Sequence, residues 1–214
     1  MRFSTAVLAA ATIYSGLALA SHAAEAAEPP VGHVLRVQGE ANAQAGGRSH
    51  TLTADAPVAL GDRLLTGPDA RLEVQFFDGT ILTLGEKANL VVDEFVVTPG
   101  KGEALFTRVT GALRLIGGTV TKEERHKVQI ASAAGTIGIR GTDVWGGTIK
   151  PGSRLDVFLI EGAVEVRTRA GTVVLDRPGL GTSITAAGGA PQAPTQWEPG
   201  LRDRAIATVT FASQ

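Results

Sequence analysis

Few residues of this 214-residue chain have the types and spacings that do chemistry. Gly135, Gly138 and Gly141 form a GxxGxxG series, which is neither the dinucleotide fingerprint nor a phosphate loop. The residues after it read as a strand, where both of those motifs require a helix N-terminus. His22, His33, His50 and His126 lack metal-ligand spacing, and the absence of cysteine removes thiolate sites and nucleophiles. Ser49, Ser132, Ser153 and Ser183 have no G-x-S-x-G elbow. Asp55, Asp62, Asp69 and Asp78 recur near turns rather than in the dense order of a calcium loop. Turn aspartates that bond their own backbone explain them more simply. A glycosidase-type pair drawn from Glu73, Asp78, Asp93, Glu94 and Glu103 would need two carboxylates facing one cleft, roughly 5 to 9.5 Å apart. The expectation is a chain that is not an enzyme, with no catalytic residue, no cofactor and no metal.

Recognition is left to Arg140, Asp62, Arg63 and Trp197. Arg140 interrupts an apolar pattern and is followed by Gly141-Thr142. Its guanidinium can fork onto a carboxylate of a partner, or tie down backbone carbonyls or a carboxylate inside the fold, and the internal role is the favoured one. Asp62 and Arg63 open a loop region reaching Asp69. Trp145 sits in an apolar strand and is expected to pack, whereas Trp197 lies among prolines and is as well suited to a partner surface.

The elements that must carry these residues are strands. Twenty-seven glycines and ten prolines cut the chain into short pieces whose apolar period is two. Residues 71–76 alternate, and Asp78-Gly79 suits a two-residue turn into residues 80–84, setting Phe76 opposite Ile81. A second hairpin is expected over residues 154–168, turning at Glu161-Gly162, with Leu159 opposite Val164 and Val157 opposite Val166. Further strands are expected at 34–37, 112–116, 127–131, 172–175, 182–185 and 205–211, with 121–127 a solvated loop. Gly39 and Gly162 each precede a strand and have a leucine thirteen residues on, Leu52 and Leu175, a faint internal duplication. The fold class is all-β, a sandwich or solenoid-like roll of short, mainly antiparallel strands.

Met1-Arg2, an apolar run over 3–20 and the small residues Ala18-Leu19-Ala20 have the layout of a secretory signal peptide cut before Ser21. The expected organisation is a signal peptide 1–20, a flexible linker 21–30, a β domain 31–187, a Pro/Gly-rich linker 188–199 and a C-terminal strand or tail 200–214. The expected location is periplasmic or secreted, with no membrane span once the signal is removed. Twenty basic residues against twenty-one acidic ones give no excess for nucleic acid. The expected partner is an envelope protein or glycan.

Residues 34–39, 60–67, 70–80, 82–84 and 111–114, the segment Ile137-Gly138-Ile139-Arg140-Gly141-Thr142-Asp143-Val144, and residues 157–166 together resemble the FecR domain family over about 34–181. The resemblance implies a periplasmic, all-β, non-catalytic domain. Such domains are best known as the outer part of inner-membrane regulators that relay signals from TonB-dependent iron-siderophore receptors to an anti-sigma function. This chain departs from that plan, since only the signal segment precedes Ser21. The expectation is a free-standing exported relative that binds or senses, with a structural envelope or surface scaffold as the alternative.

Overall fold

The computed structural model describes residues 28–98, 101–119 and 127–213. The expected signal segment, His22, His126 and residues 121–126 lie outside the described residues. In chain order the elements begin with β1 (Pro30–Gln38), β2 (Ala41–Ala45), β3 (Arg48–Thr51), β4 (Pro57–Ala59), β5 (Arg63–Thr66) and β6 (Arg71–Phe76). Next come β7 (Ile81–Leu84), β8 (Asn89–Thr98), β9 (Lys101–Thr110), β10 (Leu113–Ile116) and β11 (Lys127–Ala131). The chain closes with β12 (Thr136–Gly147), β13 (Leu155–Arg167), β14 (Thr172–Leu175), β15 (Leu180–Ile184), β16 (Thr195–Gln196) and α1 (Pro199–Ala207). The protein is all-β, built on one large curled mixed sheet that forms a half-barrel.

The curl follows from how consecutive strands share two arms. One arm runs β3-β2-β5-β8-β9-β11 to the first half of β12, and the other runs β4-β1-β6-β7-β10 to its second half. Strand pairs β1/β2, β5/β6, β7/β8 and β9/β10 each step from one arm to the other across a short corner, and β12 and β13 pass through it unbroken. Two corner positions demand glycine. Gly111 has φ +80° and a Cβ there would lie 2.7 Å from the Ala88 Cα. Gly162 has φ +82° and a Cβ would lie 2.1 Å from the Gly141 oxygen. Opposite Gly162, β12 places two residues, Gly141 and Thr142, because the pairing jumps from Arg140↔Ala163 to Asp143↔Glu161. That bulge bends both strands without ending either.

Alternation fills the space inside the curl. Leu72, Val74 and Phe76 of β6 are buried while Arg71, Glu73 and Gln75 face the other side. With Leu64, Leu82, Leu90, Phe106, Leu115, Val144, Val157 and Ile184 they share one core. A second, smaller cluster on the outside joins Trp145, Phe158, Trp197, Ala205 and Val209.

The hairpin at Asp78-Gly79 exists, but its register is one residue from the expected one. Leu72 pairs with Leu84 and Val74 with Leu82. The loop is Phe77-Asp78-Gly79, closed by Gly79 N–H to Phe76 O and Phe76 N–H to Thr80 O, both 2.9 Å. It is a three-residue loop with glycine in the left-handed position. The expected register would have turned Leu82 and Leu84 to the outer face. Burying each is worth roughly 1.5–3 kcal/mol, which outweighs any preference of the two-residue turn.

The second expected hairpin is absent. Glu161 and Gly162 lie within the continuous strand β13, which pairs along both halves with β12. Val164 therefore sits opposite Ile139 and Val157 opposite Gly146. The echo between Gly39 and Gly162 is structural: Leu52 N–H donates to Ala41 O at 2.8 Å, and Leu175 pairs with Val164. Each buried leucine thus meets the residue two past its corner glycine. At the C-terminus, the strand expected over 205–211 is replaced by α1 and the turn after it. Pro199 suits a first helical turn, and the four-residue spacing of Ala205 and Val209 brings both onto the outer aromatic cluster.

Gly162→Ala is expected to cost at least about 3 kcal/mol, from strained φ and a collision with backbone. Gly138→Ala, whose Cβ would meet nothing nearer than 3.7 Å, should stay within about 1 kcal/mol of the parent. Urea denaturation midpoints of the two variants check this contrast.

Candidate functional site

The four residues singled out from the sequence occupy separate places. Asp62 is buried, and its Oδ2 accepts the Ala59 N–H at 2.8 Å, closing the turn between β4 and β5. Arg63 Nε donates to Asn89 Oδ1 at 2.8 Å, linking β5 to β8. Arg140 is exposed at the corner of β12, and its side chain makes no hydrogen bond or ion pair among the described residues. The internal role favoured for it falls to another arginine. Arg114 on β10 forks onto Asp143, with Nε–Oδ1 at 2.9 Å and Nη2–Oδ2 at 2.6 Å. The hydrogen bond that Arg114 donates to Asp143 is the main cause that raises the Arg114 pKa, against the opposing effect of burial.

Trp197 is not a surface residue. It is 2% exposed, stacked on Phe158 with ring centroids 5.2 Å apart, edge-on to Trp145 at 6.0 Å, and covered by the Lys150 ammonium at 4.7 Å. β16 holds it there by pairing with β15. Trp145 packs as expected, and its indole N–H donates to Thr208 Oγ1 at 3.0 Å.

Several carboxylates weighed for catalysis fasten strands. Glu73 receives a fork from Arg36 at 3.0 and 3.2 Å and a bond from Thr83 at 3.2 Å. Asp78 accepts the Thr80 N–H at 2.8 Å, and Asp93 accepts from Thr107. Asp156 is fully buried on β13, and its Oδ2 gathers Ile149 N–H at 2.8 Å, Lys150 N–H at 3.0 Å and the Ser153 hydroxyl at 2.6 Å. That carboxylate fixes the loop leading into Arg154.

The loop edges a cavity of about 230 Å³ between the two arms. Its apolar walls are Val109, Leu113, Ile130, Ile137 and Leu155, drawn from the end of β9 and from β10, β11, β12 and β13. Gly146 leaves the space open: a Cβ there would lie 3.3 Å from Ile137 Cδ1 and 4.0 Å from Leu113 Cδ1. Arg154 is the one ionisable residue in the lining. A site with a single charged group and an apolar body can hold and orient a molecule. Acid–base chemistry asks for a titratable group near the pH of work, and arginine is not one.

Nothing local announces the cavity in the sequence. Leu113, Ile130 and Ile137 read as ordinary core positions of three strands, and Arg154 as the start of another. They meet because the corner brings both halves of β12 around one space.

Arg114→Lys keeps the charge and loses the fork, and is expected to cost about 1–3 kcal/mol. Arg140→Lys should change stability by less than about 0.5 kcal/mol. Thermal unfolding of both variants, run side by side, reads the difference.

The profile of the family described as FecR protein matches residues 62–165. No curated protein sequence matches the chain significantly. Two crystal structures of a proposed anti-sigma factor from Parabacteroides distasonis are similar, each with a TM-score of 0.50 and with identities of 13% and 14%. In both, the match covers 63% of this chain and 59% of that one, so the chain spans under two thirds of that protein's length. At such identity the likeness is one of fold. The profile match over residues 62–165 and the likeness of fold are together consistent with a FecR-like domain.

Proposed function

We propose that the protein is an exported, non-catalytic binding or sensing domain of the cell envelope. The observation that carries this reading is the cavity, whose lining offers apolar contact and one arginine in place of a pair of titratable groups. The match to the FecR family supports a signalling role through protein partners. The fold it shares with a proposed anti-sigma factor points the same way. The N-terminal pattern of basic start, apolar run and small residues supports export and cleavage before Ser21.

The outer strands give a partner protein somewhere to attach. Among the described residues β3 and β14 each pair on one side only, and Val174 of β14 is 51% exposed. A free strand edge presents unpaired N–H and C=O groups to an extended segment of another chain.

Expressed in its host with a C-terminal tag, the protein is expected in the periplasm or medium with Ser21 as its first residue, as read by intact mass. Formaldehyde treatment of intact cells should give a discrete heavier adduct. Retention in the cytoplasm with Met1 in place removes export, and recovery as free monomer without an adduct removes the binding role.

A further inference from the structure

We propose that the cavity between the arms takes the apolar body of a small amphiphile whose carboxylate head meets Arg154. The inference deepens, and rests on, the reading of a binding domain. An apolar cavity of about 150 Å³ stays dry and accepts benzene. The 230 Å³ here is, in proportion, room for roughly nine non-hydrogen atoms. Leu113, Ile130, Ile137 and Leu155 offer that body no hydrogen bond, so a linear or compact hydrocarbon is the matching occupant.

The head is assigned from the rim. Among the described residues no carboxylate lines the cavity, and the formal charge there is that of Arg154. Arg154 is exposed, and its guanidinium has no partner among the described residues. Its backbone, by contrast, is pinned: the N–H donates to Ile184 O at 2.6 Å, and the carbonyl accepts from Thr148 Oγ1 at 3.4 Å. Of the two other hydroxyls in the lining, Thr110 and Ser132, the latter donates to Gly135 O at 3.1 Å. Thr148 and Ser132 are thus committed to backbone, and the charged donors in the lining are those of Arg154. A guanidinium with unused N–H groups selects a carboxylate over a neutral or cationic head.

Octanoate is the probe, with octanol and octylammonium as controls, titrated into the purified protein and followed by amide chemical shifts. Octanoate is expected to move the amides of Gly111, Ala134 and Gly146. Hexanoate and heptanoate should bind progressively more weakly, about fourfold per methylene removed. Octanol should bind at least about tenfold more weakly than octanoate, the loss expected for one charge-assisted bond. Arg154→Gln should bring octanoate down to the level of octanol, and Gly146→Val, filling the space between Ile137 and Leu113, should abolish both. Circular dichroism reports whether Gly146→Val is folded, and Arg154→Gln at the surface decides the matter where it is not. Unmoved amides at millimolar octanoate, octylammonium binding as tightly as octanoate, or an unaffected Arg154→Gln variant would each overturn the proposal. Should octanoate fail while the exported protein still gives its crosslinked adduct, the amphiphile is removed and the binding-domain reading stands.

Discussion

Backbone meets backbone along the corner of the sheet, and every other feature of the molecule depends on that close approach. Gly162 lies so near the carbonyl of Gly141 that a methyl group would overlap it, and a methyl group on Gly111 would collide with Ala88. Because no side chain intervenes, strands can turn from one arm to the other while their neighbours turn beside them. A curled sheet whose strands all bend in the same place encloses one core, and its hydrogen-bond ladder continues around the bend.

That arrangement explains how polar residues are used. Where a strand ends or turns its backbone groups lose their regular partners, and buried groups left without a bond are costly. Asp62, Asp78 and Asp156 each supply the missing acceptor to a neighbouring turn. Arg36 on Glu73 and Arg114 on Asp143 hold adjacent strands from outside the core. The same arrangement leaves a space where the arms diverge beside Gly146, and the loop fastened by Asp156 sets Arg154 at its rim. Structural fastening and the candidate binding site are in this sense one construction.

The strands at 127–131 and 172–175 were legible because alternation and flanking glycines are local properties. The slip in the β6–β7 hairpin was legible in principle. Leu72, Val74, Leu82 and Leu84 can share a face only in the register observed, and the dipeptide Asp78-Gly79 is the weaker signal. Residues 155–167 were not legible as one strand, since Glu161-Gly162 has the composition of a turn. What keeps that strand continuous is β12 lying alongside with its own bulge at Gly141 and Thr142. The tail misled for a similar reason: 205–211 alternates like a strand, but the outer aromatic cluster accepts a helical face.

Composition and period by themselves determined that the chain is all-β, that its core is filled by alternate side chains, and that cysteine chemistry plays no part. These follow from steric and hydrophobic rules acting between residues a few positions apart. Only the tertiary structure decided that Trp197 is buried against Phe158, that Arg114 rather than Arg140 makes the fork, and that Arg154 stands over a cavity. Each of those depends on which strands lie side by side after the corner is turned, a matter of contacts between residues tens of positions apart. No short window of residues contains that information.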